Sequence, residues 1–362
     1  MVVQVMDINL KKTILMVIIP FIFVTLITPF IKKIAFHVNA IDIPDERKVH
    51  KKPMPRLGGL GIYAGFLLGY ILFGEHTYMM NSILIGSFIL IVTGIIDDIK
   101  SLKPQYKIIG QLLACLIVVF YGEILLKDIS FFGIYIDFGL FAYPITVLFI
   151  LGCINCMNLI DGLDGLAAGI SSIFFLTIGV ISFFMGSGGL AFELSFVLTL
   201  IMLGSTCGFL VHNFNPAKIF MGDTGSMFLG FIISIVTLLG FKATLMSSII
   251  IPLFILAVPI LDTLFAIIRR KLKGESVIVP DKSHIHHQLL RRNYSVRKTV
   301  LIIYLITFLF SSASVIYVLV DSTIGYIIYG TLMFFVILFI LTTDVLFEHK
   351  KNKKIERTCN ND

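Results

Sequence analysis

FELSFVLTLIMLGSTCGFLVHNFNPAKIFMGDTGSMFLGFIISIVTLLGF, residues 192–241, holds two almost wholly apolar runs, 192–210 and 226–241, with a polar island between them. A hydrocarbon core about 30 Å thick takes roughly 20 helical residues, so each run reads as one membrane span. Neither span needs Asn213, Lys218 or Asp223. These side chains sit among Gly and Pro, the residues of turns. The island therefore reads as a working loop at the end of a span.

The same alternation fills the chain. It is 57% hydrophobic and 14% charged, against about 25% charged in soluble domains, and its mean hydropathy is +0.97. That composition excludes a soluble protein with a large core and indicates an integral membrane protein. Apolar runs near 13–31, 58–73, 81–96, 108–122, 138–156, 165–185, 192–210, 226–241, 247–266, 299–319 and 324–343 give about eleven candidate spans. No strand alternation on the scale of a barrel is evident, so the expected fold is an all-α polytopic bundle. It forms one domain, 1–362, with a basic tail from about 344. The first run lacks a small-residue cleavage site and meets Lys32 and Lys33, so it reads as a retained span rather than a signal peptide. Cys153 and Cys156 have CxxC spacing but no second pair, and they read as small packing residues.

Charge sets the expected orientation. The segments 32–57, 97–107, 211–225, 267–298 and 344–362 hold 25 of the 29 Lys and Arg residues, and eleven alternating spans put all five on one side. By the positive-inside rule that side is cytoplasmic, with the N-terminus outside and the C-terminus inside. The net charge of +7 then reports topology, and no nucleic-acid partner is expected.

The unusual residues share that face. They lie in DIPDERKVHKKPMPRLGG (42–59), GIIDDIKSLKPQYKIIGQ (94–111), NCMNLIDGLDGLAAG (155–169), the opening island, and VIVPDKSHIHHQLL (277–290). Asp97, Asp98, Asp161, Asp164 and Asp223 come from three separate loops at similar depth. Convergent carboxylates repel one another unless a cation neutralises them, and oxygen-only ligands favour a hard ion such as Mg²⁺. A single Asp after a span is equally a solvated helix cap; adjacent Asp97 and Asp98 with DGLDG and GDTGS on one face favour the site. A helix beginning after Asp164 or Asp223 would aim free N–H groups at anionic ligands. His284, His286 and His287 lie among Lys and Arg without a nearby Cys. Phosphate binding suits them better than zinc, with a solvated interfacial helix as the plain alternative. Asp262 falls inside span nine near its cytoplasmic end, with Arg269 two helical turns on.

Taken in order, RKVHKKPMPRLGG, DDIKSLKPQYK, NLIDGLDGLAAG, NPAKIFMGDTGS and DKSHIHH resemble the polyprenyl-phosphate N-acetylhexosamine-1-phosphate transferases. This is the glycosyltransferase 4 family of the MraY, WecA and TagO branches. Asp281-Lys-Ser-His284-Ile-His286-His287 is similar to the WecA/TagO-like branch, where the MraY branch has three consecutive histidines. The resemblance implies transfer of N-acetylglucosamine 1-phosphate from UDP-GlcNAc to undecaprenyl phosphate, releasing UMP, at the cytoplasmic face of a bacterial cell membrane. The product would start a teichoic acid, O-antigen or related glycan. Another UDP-N-acetylhexosamine is the alternative donor. The resemblance also implies Mg²⁺, with Mn²⁺ as its substitute, and leaves a homodimer open.

Residue by residue, it implies Asp223 as the metal ligand and Asp97 and Asp98 as catalytic groups that could share the metal. Lys52, Lys107, Lys218, His284, His286 and His287 would hold phosphates. Phe220 matches the uracil-stacking position, and Asn158, Asp161 and Asp164 match the nucleotide segment. A secondary transporter is the rival class. It would want ionisable groups near the midplane and repeated halves, whereas this chain keeps its charges at one face.

Orientation is directly testable. Single cysteines at Lys127 and Lys282, in a background without native cysteines, should label from opposite sides. Lys127→Cys should react with an impermeant reagent on intact cells and Lys282→Cys only after lysis. Equal labelling would overturn the alternation.

Overall fold

A backbone in lipid has to satisfy its own N–H and C=O groups, and the apolar runs do so as helices. The structure, a computed structural model, describes residues 10–44, 52–131, 134–186, 189–242, 250–273 and 285–341. In chain order these form α1 (Leu10–His37), α2 (Gly59–Phe73), α3 (Tyr78–Lys100), α4 (Pro104–Leu116), α5 (Ala142–Ile160), α6 (Leu166–Met185), α7 (Leu190–Asn213), α8 (Gly222–Lys242), α9 (Ile250–Ile255), α10 (Ala257–Lys273), α11 (Ile285–Arg291), α12 (Val296–Leu319) and α13 (Ser322–Leu341). Eight helices among the described residues are long and apolar enough to cross a membrane. The protein is an all-α polytopic membrane protein.

The remaining expected spans differ in form. Two fall on shorter apolar helices, α2 and the run Ser322–Leu338. The ninth is broken: α9 and α10 meet at Leu256. Pro259 has no N–H to offer the carbonyl one turn back, at Ile255, which interrupts the ladder at that point. Helices also run further than hydropathy alone suggests. α3 continues to Lys100 and α8 begins at Gly222, so Asp97, Asp98 and Asp223 stand on helices rather than in loops. Between α4 and α5 lies an antiparallel hairpin, Asp128–Phe131 with Ile134–Asp137, at the end of the bundle opposite the polar islands.

α8 is apolar all round and almost entirely buried, as expected of a helix at the centre of a bundle. It packs on α3, α5, α7 and α2. The most extensive pairing joins α1 to α7, and small residues allow it, as is usual in membranes. A Cβ at Gly204 would collide with the carbonyl of Val17, and one at Gly208 with that of Phe21. Further along the same seam, His212 Nε2 lies 2.9 Å from the Thr25 carbonyl.

Gly204→Ala should therefore wedge α1 from α7, at a cost of roughly 1–3 kcal/mol for overpacking. Gly152→Ala, where no atom lies within 4 Å of the added carbon, is the matched control. Thermal unfolding in detergent should show a lowered midpoint for the first and none for the second. Equal midpoints would refute the close approach.

Candidate active site

The site begins where α3 ends. Asp97 and Asp98 lie in its last turn and are both buried. Asp98 caps the start of α8 from outside that helix. Its Oδ1 accepts the Asp223 N–H at 3.0 Å; its Oδ2 accepts the Thr224 N–H at 3.1 Å and the Thr224 hydroxyl at 2.6 Å. Gly222 makes this possible. It has φ of +72°, and a Cβ there would run into the Arg56 carbonyl and the Asp98 carboxylate, so only glycine fits. The first N–H groups of α8 are thus taken by the protein's own carboxylate. This corrects the expectation that they would face a bound anion.

Asp97 faces the other way. Its Oδ1 accepts the Leu102 N–H at 2.6 Å, which fixes the turn into α4. Its Oδ2 lies 2.8 Å from Lys107 Nζ, and the same ammonium donates to Asp223 Oδ2 at 2.6 Å. Lys107 sits in the first turn of α4, where a helix dipole disfavours a cation; two carboxylates offset that. Arg56 completes the cluster, 3.6 Å from Asp98, 3.8 Å from Asp223 and 3.5 Å from Asp42. Burial alone would lower its pKa, but Asp98, Asp223, Asp42 and Asp97 together raise it above the ordinary arginine value.

Oxygens of Asp97, Asp98 and Asp223 lie within 4.8 Å of one another. An all-oxygen donor set of this kind fits a hard divalent cation. Asp223 and Asp97 Oδ2 are the better placed donors, because both Asp98 oxygens are held by the start of α8 and Asp97 Oδ1 by the Leu102 N–H, whereas Asp97 Oδ2 and Asp223 Oδ2 face the side chain of Lys107.

Beside the cluster opens a cavity of about 580 Å³ lined by Lys52, Arg56, Asn158, Asp161, Phe220, Asp223 and His287 among others. Backbone pairing builds one wall. Residues 41–42 pair with 54–55, and the 55–59 segment bonds on to 220–221: Phe220 N–H to the Pro55 carbonyl at 2.8 Å, Gly58 N–H to the Phe220 carbonyl at 2.9 Å, and Gly59 N–H to the Met221 carbonyl at 2.9 Å. The opposite wall is held by Asp164, whose Oδ2 accepts Asn215 Nδ2 at 2.8 Å and the Ala217 N–H at 3.0 Å. Asn213 Oδ1 accepts the Gly165 N–H at 3.1 Å. From α12, the Tyr304 hydroxyl donates to the Gly165 carbonyl at 2.5 Å and Arg297 Nε to the Asn215 carbonyl at 2.7 Å. Asn158 reaches α8 through Ser226 Oγ at 2.8 Å.

Most of the residues expected from sequence come together here. Asp97, Asp98, Asp223 and Lys107 form the charged cluster; Lys52, Asn158, Asp161, Asp164, Phe220 and His287 line the cavity. His286 is buried beneath it, with its ring centroid 4.3 Å from that of His287. Lys218 is exposed and is not among the lining residues, although Pro216 and Ala217 before it are. His284, Asp281 and Lys282 lie outside the described residues. Arg56 is a site residue outside those expected from sequence; its signal is its place in PMPRLGG, two residues before the glycines that open α2. Asn213, a buried bracket between two loops, carried no motif signal of its own.

Comparison with known proteins gives the family. The pattern of glycosyl transferase family 4 matches residues 80–241. The chain is 45% identical to a probable undecaprenyl-phosphate N-acetylglucosaminyl 1-phosphate transferase of Bacillus subtilis, over 86% of each chain. It is 32% identical to a decaprenyl-phosphate N-acetylglucosaminephosphotransferase of Mycolicibacterium smegmatis, over 77% of this chain and 75% of that one. It is 30% identical to an undecaprenyl-phosphate alpha-N-acetylglucosaminyl 1-phosphate transferase of Escherichia coli K12, over 82% of this chain and 81% of that one. The chain belongs to the polyprenyl-phosphate N-acetylhexosamine-1-phosphate transferases of glycosyl transferase family 4. It is a multi-pass membrane transferase.

Asp161 yields a pH test. It stands half-buried just past the end of α5, and burial, followed by the Asp223 and Asp98 carboxylates, pushes its pKa up to about 8. An unfolded Asp ionises near pH 4, so between about 4 and 8 the native state holds a proton that the unfolded chain has lost. Stability from this group is full below that window and falls as pH rises through it. Without divalent metal, Asp161→Asn should gain in unfolding temperature relative to the parent as pH climbs from 5 to 8.5. Parallel curves would refute the assignment.

Proposed function

We propose that this chain transfers N-acetylglucosamine 1-phosphate from UDP-GlcNAc to undecaprenyl phosphate at the cytoplasmic face of a bacterial cell membrane, releasing UMP. The observation that carries the reading is the Asp97–Lys107–Asp223–Arg56 cluster opening into a cavity at the ends of the spans. There a lipid headgroup and a soluble nucleotide can meet. An oxygen of the acceptor phosphate forms a bond to the sugar-linked phosphorus; the diphosphate P–O bond breaks, and its electron pair leaves with UMP. Every reactant is anionic, so positioning and charge neutralisation dominate.

The residues divide that work. Lys107 and Arg56 supply fixed positive charge at the edge of the cavity, and Lys52 and His287 meet phosphate oxygens from its walls. Phe220 offers a ring for uracil, with Asn158 and Asp161 beside it. Asp98, with both oxygens committed to α8, holds the helix that carries Asp223. Mg²⁺, which Asp223 and Asp97 would hold, supplies neutralisation of the diphosphate and of the departing UMP. Asp164 acts by bracing the loop wall.

Two measurements test the reading. In purified membranes given polyprenyl phosphate, label should enter the lipid from UDP-GlcNAc and not from UDP-MurNAc-pentapeptide. Preference for the second donor would overturn the branch, and comparable use of UDP-GalNAc would widen the sugar. Asp223→Asn should lower turnover by at least about a hundredfold while leaving the protein inserted. Near-normal turnover at low Mg²⁺ would refute its role.

A further inference from the structure

The broken helix carries a buried carboxylate that the chemistry above does not use. Asp262 lies in α10 and is 2% exposed, within the run that hydropathy marks as a span. A charge at that depth is costly, so its contacts are informative. Its Oδ1 accepts the N–H of Ile285 at 2.7 Å. Ile285 is the first residue of α11, and the next two are His286 and His287.

That bond bears on the placement of both histidines. His287 lines the cavity. His286 lies under the turn after α5: a Cβ at Gly162 would come within 2.8 Å of its Nε2. α11 is therefore fixed at its start by Asp262 and on one face by the glycine of Asp161-Gly162. α10 is in turn tied to α5 by Thr263 Oγ1, which donates to Cys156 Sγ at 3.5 Å. Asn158 and Asp161 come within the next five residues. The line of contacts thus runs from the nucleotide segment of α5, through α10, to the helix that carries the histidines.

We infer that Asp262 is a positioning residue for the donor subsite, holding α11 at the height where His287 faces the cavity. It acts as an acceptor for the Ile285 N–H and touches neither substrate. A carboxylate makes a stronger acceptor than a neutral oxygen, but an amide oxygen at the same place can accept the same N–H. That separates acceptor from charge. The inference rests on the reading of the cavity as the site of a UDP-sugar.

The test uses the full-length enzyme in detergent, with UDP-GlcNAc and polyprenyl phosphate varied separately. Asp262→Ala should raise KM for UDP-GlcNAc about tenfold, the scale of one lost hydrogen bond to a charged acceptor, with a smaller fall in kcat and no change in KM for the lipid. Asp262→Asn should restore the donor KM to within about threefold of the parent. Hydrogen exchange, which needs no substrate, should be faster over 285–291 in Asp262→Ala and unchanged over 222–230. Asp262→Glu, which displaces the oxygen by one methylene, should give the same pattern and serves where Asp262→Ala does not fold. An unaltered donor KM, equal loss in the Ala and Asn variants, or unaltered exchange over 285–291 would each overturn the inference. If the parent enzyme does not use UDP-GlcNAc, the functional reading fails, and the exchange measurement alone decides the role of Asp262.

Discussion

The start of α8 is the point on which the rest of the site depends. A helix buried at the centre of a membrane bundle leaves its first N–H groups without partners, and leaving them so in a dry interior costs free energy for each. Asp98, from the end of α3, takes the first of them at Asp223 and Thr224 and binds the Thr224 hydroxyl as well. One carboxylate thereby sets the height and rotation of α8 against α3. Since Asp223 lies in that same first turn, its side chain is placed by the same contact. Gly222 is the geometric condition, because its left-handed φ turns the chain into the helix beside Asp98.

From that point the remaining islands lock together by short-range bonds between distant parts of the chain. The 55–59 segment is stitched to 220–221 through the backbone, which brings Arg56 against Asp98 and Asp223. Asp164 and Asn213 join the turn after α5 to the turn after α7. Tyr304 and Arg297 bring α12 onto both. Each bond is individually worth about 0.5–1.5 kcal/mol net, but together they hold the cavity walls at fixed separation. A phosphoryl transfer that depends on positioning needs that rigidity more than it needs any single reactive group.

Much of this was legible in the sequence, for definite reasons. Spans announce themselves because lipid admits few other residue types, and charge at the ends of spans stands out against them. Asp97, Asp98, Asp223 and Lys107 were visible in that way, as polar residues with no other use beside apolar runs. Helix ends were less visible: hydropathy stops α3 at 96 and starts α8 at 226, whereas capping and ion pairing carry both helices through the charged residues. Arg56 was hidden by its neighbours, one cation among seven in 32–57, and it reaches the acidic cluster through backbone pairing of its own segment with 41–42 and 220–221. The place of Lys218 was not legible, because a charge between two spans looks alike whether it faces the cavity or the water. The contact of Asp262 with α11 could not be read at all, since it is made to a backbone N–H 23 residues away and a backbone donor leaves no trace in residue type.

The charge balance of the cluster bears on the hard cation proposed for it. Lys107 serves Asp97 and Asp223 at once, at 2.8 and 2.6 Å, and Arg56 is shared among three carboxylates. Neither cation is idle. A phosphate that draws Lys107 to itself leaves two aspartates facing each other within 4.8 Å, where their repulsion is only weakly screened by water. An anionic substrate therefore cannot use the lysine unless other positive charge takes its place between the carboxylates. The oxygen donors left there would suit a small divalent ion. On the proposed reading, substrate binding and cation binding would be coupled by this geometry, because the cation would relieve the repulsion that a substrate creates by drawing Lys107 away.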